Sequence, residues 1–130
     1  MLTNGLVSYL LAVPAVTVIV GSAIQPVPAP EDLSQYPLIT YQTPSDVSED
    51  GNDGPIGVSE ARVVFDCFAL RKLDAATLAL TVKAALRGFS GVLPDGTRVF
   101  FCRIENVTEN FDDGSRIYRS SAHFIVQYAD

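Results

Sequence analysis

Apolar and polar residues alternate along this chain with two periods, one typical of strands and one typical of helices. Val58 to Leu70 (VSEARVVFDCFAL) has a period of two, which predicts a long β-strand. Its cleaner apolar face consists of Ala61, Val63, Phe65, Cys67 and Ala69. The opposite face is mixed and consists of Arg62, Val64, Asp66 and Phe68. We therefore expect one face in the core and a partly apolar second face.

The segment from Lys72 to Gly88 (KLDAATLALTVKAALRG) has a helical period and predicts one long helix over about residues 72–87. The core-facing stripe consists of Ala75, Leu78, Ala79, Val82, Ala85 and Leu86. Asp74 in the first turn and Arg87 in the last turn interact favourably with the helix dipole and so stabilise the helix. Leu73 and Leu80 lie on the opposite side, which indicates a second neighbour for this helix.

Three further runs alternate like strands, at residues 36–43, 99–107 and 117–128. In the last two, the residues predicted to face the core are Phe100, Cys102, Ile104, Tyr118, Ala122, Phe124, Val126 and Tyr128. Pro94-Asp95-Gly96 predicts a turn, and Asp112-Asp113-Gly114 predicts a hairpin tip at about residues 110–115. The polar residues 44–57 predict an exposed loop.

No charged side chain precedes Glu31. The stretch Leu6–Ile24 is long and apolar enough to suggest a membrane span, but Pro14 interrupts it. No basic residue precedes it, as a signal peptide or an oriented span would require. We therefore predict a helix from about Thr3 to Ala12, a short turn or 3₁₀ segment from Ala15 to Val20, and no membrane anchor. The prolines that follow permit at most a short edge strand.

Together these elements predict the α+β class: one mostly antiparallel β-sheet with the N-terminal helix and the long helix packed on one face. The chain has 130 residues, of which 48% are hydrophobic and 18% charged. It is long enough for one hydrophobic core and too apolar for a disordered chain. We see no internal repeat and expect a single domain over residues 1–130.

Residues that carry chemistry are few and scattered. His123 is the one histidine, and its outward strand position provides no nucleophile or carboxylate for a proton relay. Cys67 and Cys102 form no C-x-x-C motif and fall on apolar strand positions, which predicts two buried free thiols. We therefore predict no catalytic site, no cofactor and no enzymatic activity.

A cluster of acidic residues suggests a calcium loop: Asp46, Glu49, Asp50 and Asp53. The spacing of an EF-hand fails, because its glycine position falls on Pro55. We interpret the cluster as a solvated loop and predict no metal site, although weak binding of a hard cation stays open.

Charge disfavours nucleic acid as a general ligand, because 15 acidic and 9 basic residues give a net charge of −6. The outward-facing basic residues Arg62, Arg103, Arg119 and His123 form a modest basic stripe if their strands are neighbours. Arginine is enriched at protein interfaces. Surplus apolar surface on the same face also indicates a partner. The candidate interface residues on this face and the nearby edge strand are Leu38, Arg62, Val64, Asp66, Phe68, Arg103, Ile117, Arg119, His123 and Ile125.

The element order and several segments resemble the phage tail-completion proteins, the tail terminators and tail-to-head joining proteins of siphophages and gene-transfer agents. Residues 18–21 (VIVG) resemble the family's A-L-V-G turn, and residues 36–41 (YPLITY) resemble its P-Y-V-V-Y segment. Residues 63–69 (VVFDCFA) resemble V-Q-I-D-V-W-A, and residues 121–126 (SAHFIV) resemble R-x-x-x-D-F-x-V.

The resemblance implies a structural virion protein of the tail or neck that has no active site and is assembled in the bacterial host cytoplasm. It implies a ring, typically a hexamer, that caps the tail tube, ends tube polymerisation and joins the tail to the head. The implied partners are other copies of the chain, the tail tube protein and head-tail connector proteins, while DNA passes through the lumen without specific binding. The candidates to face the lumen or tube are Asp46, Glu49, Asp50, Asp53, Asp112 and Asp113.

Two other interpretations stay open at this point. A head-tail connector or stopper of the neck has a similar size and also forms rings. A stand-alone bacterial adaptor domain that binds other proteins belongs to a different class.

Overall fold

The computed structural model describes residues 2–30, 35–51, 54–114 and 116–129. Over these residues the elements are α1 (Leu2–Leu11), α2 (Pro14–Val20), β1 (Ile24–Pro26), β2 (Leu38–Gly51), β3 (Gly54–Ala69), α3 (Lys72–Leu86), β4 (Gly91–Val92), β5 (Arg98–Asp112) and β6 (Ile117–Ala129). The strands form one half-barrel sheet in the order β1-β2-β3-β6-β5-β4. Only β1 and β2 are parallel neighbours among them, so the predicted α+β class with a mostly antiparallel sheet is confirmed.

The helices cover one face of the sheet, and the hydrophobic core lies between the two layers. The predicted core-facing residues of β3 are all buried, and α3 packs against β3 and β6 through the predicted stripe. From β6, Phe124 contacts Phe65 edge to face, with ring centroids 6.0 Å apart. Burying side chains of this size contributes about 1.5–3 kcal/mol each, which fixes the face that the helices occupy.

Pro14 divides the N-terminal apolar stretch into two helices. It occupies the first turn of α2, where a missing N–H costs nothing, and the axes of α1 and α2 differ by 85°. Leu6, Leu10 and Val16 are fully buried in the core. The predicted turn at Ala15–Val20 is thus a seven-residue α-helix. Among the described residues, no single helix is long and apolar enough to cross a membrane, and the bent pair α1–α2 reaches that length and composition only when joined.

The polar segment 44–57 is not a loop, because strands β2 and β3 continue through it. Their ladder includes the pair Asp46–Ala61 and extends towards the end of the hairpin. Pro44 lies at a β-bulge, where the ladder is interrupted and proline is tolerated. The loop prediction was therefore wrong for the backbone, since turn-forming residues here sit at bulges and at the hairpin end. The described side chains at residues 42–48 are exposed, as predicted.

A bulge near the start of β5 changes the alternation predicted for that strand. The register shifts between Val99 and Phe101, so that Val99 and Cys102 are both buried. Phe100 is 41% exposed and does not face the core as predicted. One extra residue reverses the side on which the preceding residues lie.

Candidate interaction surfaces

The sheet face turned away from the helices, called the open face below, carries a row of polar residues across four strands. The register aligns Thr40, Asp66, Ser121 and Thr108 in this row. Asp66 and Ser121 are buried, and the Ser121 hydroxyl donates a hydrogen bond to Asp66 Oδ1. Thr40 is fully buried, and its hydroxyl has no hydrogen-bond partner among the described residues. The centre of the open face is therefore a packed polar row and is not an apolar patch.

Half of the predicted interface residues are buried inside the subunit. The exposed fractions are 0% for Leu38, 4% for Val64, 6% for Asp66, 8% for Ile117 and 7% for Ile125. Side chains on neighbouring strands of a curled sheet lie close enough to cover one another. The expectation that these five residues form an exposed interface is corrected, because they contribute to packing within the subunit.

The other interface candidates keep part of their side chains accessible: Arg62, Phe68, Arg103, Arg119 and His123. Arg62, Arg119 and His123 line an open cleft of about 320 Å³ on the open face, whereas Arg103 lies outside it. Arg62 forms an ion pair with Glu105. Arg119 and His123 have no ion pair with a described residue. The predicted basic stripe therefore exists in part, at the residues that line the cleft.

The acidic candidates that the structure describes lie at opposite ends of the sheet. Because β3 and β6 are antiparallel neighbours, the β2–β3 and β5–β6 hairpins end at opposite edges, and the paired length Val58–Ala69 corresponds to roughly 40 Å. Asp46 accepts a hydrogen bond from the Tyr128 hydroxyl at 2.5 Å, and Asp113 is exposed at the other end. The described structure does not include Asp53 or the side chains of Glu49, Asp50 and Asp112. One subunit thus cannot place both sets in a single contact.

An accessible apolar surface lies on the outer side of the helices. Val18 is 82% exposed, Leu73 75% and Leu80 59%. Leu80 also lines an open apolar groove of about 480 Å³ between α2 and α3, the helical groove below, together with Val13, Ala15, Thr77, Thr81, Ala84 and Ala85. Exposed apolar surface of this kind is typical of sites at which proteins contact one another. The outward positions of Leu73 and Leu80 were the sequence signal for this surface.

The described residues contain no group of three or more His, Cys, Asp or Glu side chains that could hold a metal ion. Cys67 and Cys102 are free and buried, as predicted. Burial raises the pKa of both thiols, that of Cys102 to about 12, so both stay protonated and unreactive near neutral pH. The accessible features of the described residues include the open cleft and the helical groove, which are typical of the class of proteins that act through contacts with other proteins.

Comparison with known proteins identifies the family within this class. The family model described as Tail completion protein gp17 matches residues 4–129. A solved chain from the "Virion of native gene transfer agent (GTA) particle" has a similar fold, with a TM-score of 0.82 and 17% identity, over 99% of this chain and 95% of that chain. No curated protein matches the sequence. The chain therefore belongs to the tail completion protein gp17 family, and it is a structural tail protein of a virion.

Proposed function

We propose that this protein is a tail terminator, which forms a ring of six copies, caps the tail tube, ends tube polymerisation and joins the tail to the head. The observation that carries the proposal is the family match over residues 4–129, which spans nearly all of the fold. The fold shared with a chain of a gene transfer agent virion supports the same kind of role.

A ring needs two different, complementary surfaces on every subunit, because each copy contacts the next in a head-to-tail manner. This chain offers one such surface on each side of the sheet. The helical groove around Leu80 lies on the helix side, and the cleft with Arg119 and His123 lies on the open face. Two unlike surfaces support a heterologous ring better than a two-fold dimer, which uses one surface twice.

The two hairpin ends support separate contacts with the other partners. They lie at opposite edges of the sheet, as expected for a protein placed between two assemblies. We assign one end to the tail tube protein and the other to the head-tail connector proteins. Acidic residues that face the lumen repel DNA phosphates, so DNA passes without being bound.

Deletion of the gene from its phage or gene transfer agent tests this role directly. A missing terminator produces tails of uncontrolled length, which electron micrographs show at once. Tails of normal length that fail to join filled heads support the connector or stopper function and contradict the terminator function. The control is the same deletion strain supplied with the wild-type gene, in which normal tail length returns.

A further inference from the structure

An acidic side chain lies beyond one end of the helical groove. Asp74 precedes Thr77 by three positions and Thr81 by seven, so it lies on the same side of α3 as these two groove residues. Asp74 is exposed and forms no ion pair or hydrogen bond with a described residue. Lys72 lies on the other flank of α3, where it lines a separate cavity with residues of β5. The groove therefore has an exposed, unpaired carboxylate at one end.

The cleft on the open face has the complementary charge at Arg119. This side chain has no ion pair, and its buried Nε–H donates to no acceptor among the described residues. Asp66, a carboxylate that lines the same cleft, is buried and accepts a hydrogen bond from Ser121 instead. A guanidinium is always protonated, and a partly buried charge that has no ion pair is unfavourable. Arg119 is therefore available to bind a carboxylate that a partner brings into the cleft.

We propose that α3 of one copy of this chain lies against the open-face cleft of the next copy, with Asp74 paired to Arg119. Leu80, which is 59% exposed, then packs against the imidazole ring of His123. This inference rests on the proposed ring and names the residues that join its two surfaces. The apolar contact supplies affinity, and the charge pair sets the orientation of the two copies.

The direction of α3 relative to the sheet can be read from two points of contact. Ala75, near the start of α3, lines one cavity together with Ser120 of β6. The Gly88 N–H, just after α3, donates to the Cys102 carbonyl, and Cys102 is paired with Val126 of β6. The thirteen residues between these points on the helix and the six residues between them on the strand each span about 20 Å. The helix α3 therefore runs nearly parallel to β6.

The proposed partners lie at matching heights along this common direction. Asp74 precedes Ala75 by one helical residue, or about 1.5 Å, which places it between the levels of Ser120 and Arg119. Leu80 lies about 7.5 Å above Ala75, within about 3 Å of the level of His123. A rotation about an axis parallel to the strands preserves height, so both contacts form in a ring that closes without an axial rise.

Charge reversal followed by mixing of two full-length variants tests the pair. Asp74→Arg and Arg119→Glu each place like charges at every contact of the ring. We therefore expect each variant alone to need a concentration about tenfold or more above that of the wild type to form rings. In an equimolar mixture, the two introduced side chains face each other at one contact and the two native side chains at the next. Because six is an even number, the two variants can alternate around a complete ring, and mixing should restore assembly.

Multi-angle light scattering and negative-stain images of the same samples measure this recovery. Two matched controls carry the same changes of charge outside the two surfaces. Asp113→Arg alters a hairpin end, and Arg103→Glu alters an exposed residue that lies outside the cleft. Each control should form rings alone, as the wild type does. Thermal unfolding shows whether each chain is folded, and Asp74→Asn or Arg119→Gln replaces a reversal that is not.

The outcomes separate this inference from the proposed function. Rings formed by either reversal variant alone at wild-type concentrations overturn the charge pair but leave the ring intact. A mixture that fails to recover while both controls form rings also overturns the pair. Wild-type protein that forms no ring contradicts the inference and the proposed function together.

Discussion

Replacement of Ser121 by alanine removes the hydrogen bond that the buried Asp66 carboxylate receives on the open face. Both residues are nearly inaccessible, at 5% and 6% exposure, so the carboxylate has few other donors that could replace the lost one. A hydrogen bond to a charged group contributes about 1.5–3 kcal/mol, and we expect Ser121→Ala to lower the free energy of unfolding by about 2 kcal/mol. For a chain of this size that loss corresponds to a decrease in Tm of roughly 8 °C.

Urea unfolding followed by circular dichroism measures this change. The control is Thr108→Ala in the same row, which is exposed and should change the free energy of unfolding by less than about 0.5 kcal/mol. In the double variant Asp66→Ala/Ser121→Ala, the two losses should be clearly non-additive. A Ser121→Ala protein as stable as Thr108→Ala would refute the conclusion that this row stabilises the open face.

Three further predictions follow from the helices and the thiols. Leu78→Ala creates a cavity in the core and should lower the free energy of unfolding, measured in urea, by about 2–5 kcal/mol. Leu73→Ala, on the exposed side of α3, should lower it by less than about 0.5 kcal/mol. Equal losses would contradict the assigned helix orientation. Gly5→Ala places a Cβ 2.3 Å from Asp95 Oδ1 and should lower Tm, while in an Asp95→Ala background it should raise Tm because alanine favours the helix. Burial raises the pKa of the Cys102 thiol from 9.0 to about 12, so the unfolded chain loses this proton at a lower pH than the folded chain does. The free energy of unfolding should therefore fall as the pH rises from about 9 towards 12. Unfolding curves recorded at several pH values should show a weaker dependence on pH for Cys102→Ala.

Hydrophobic periodicity was enough to predict the core and the layer arrangement. The alternation in residues 58–70 identified the buried face of β3, and the stripe around Leu78 and Val82 placed α3 on it. These patterns succeed because apolar burial is the largest favourable term in folding. The residues that share one face recur at every second position in a strand and at every third or fourth position in a helix. Pro14 likewise separated α1 from the rest of the apolar stretch.

The surfaces were harder to predict, because they depend on how neighbouring strands cover one another. Val64 and Ile125 alternate with core residues in the sequence, yet the curled sheet buries them on its other side. The outer part of the β2–β3 hairpin contains turn-forming residues, and its cross-strand pairing does not appear in a local pattern. The opposite placement of the hairpin ends of β2–β3 and β5–β6 likewise requires the strand order.

We propose above that this tail protein assembles into a closed ring through unlike surfaces. The most direct test measures the mass of the purified full-length chain by multi-angle light scattering over a range of concentrations, together with negative-stain images of the same samples. A ring of six copies predicts a species of about six times the 14.0 kDa subunit mass and images of closed rings. A monomer or a two-fold dimer at every concentration would contradict it.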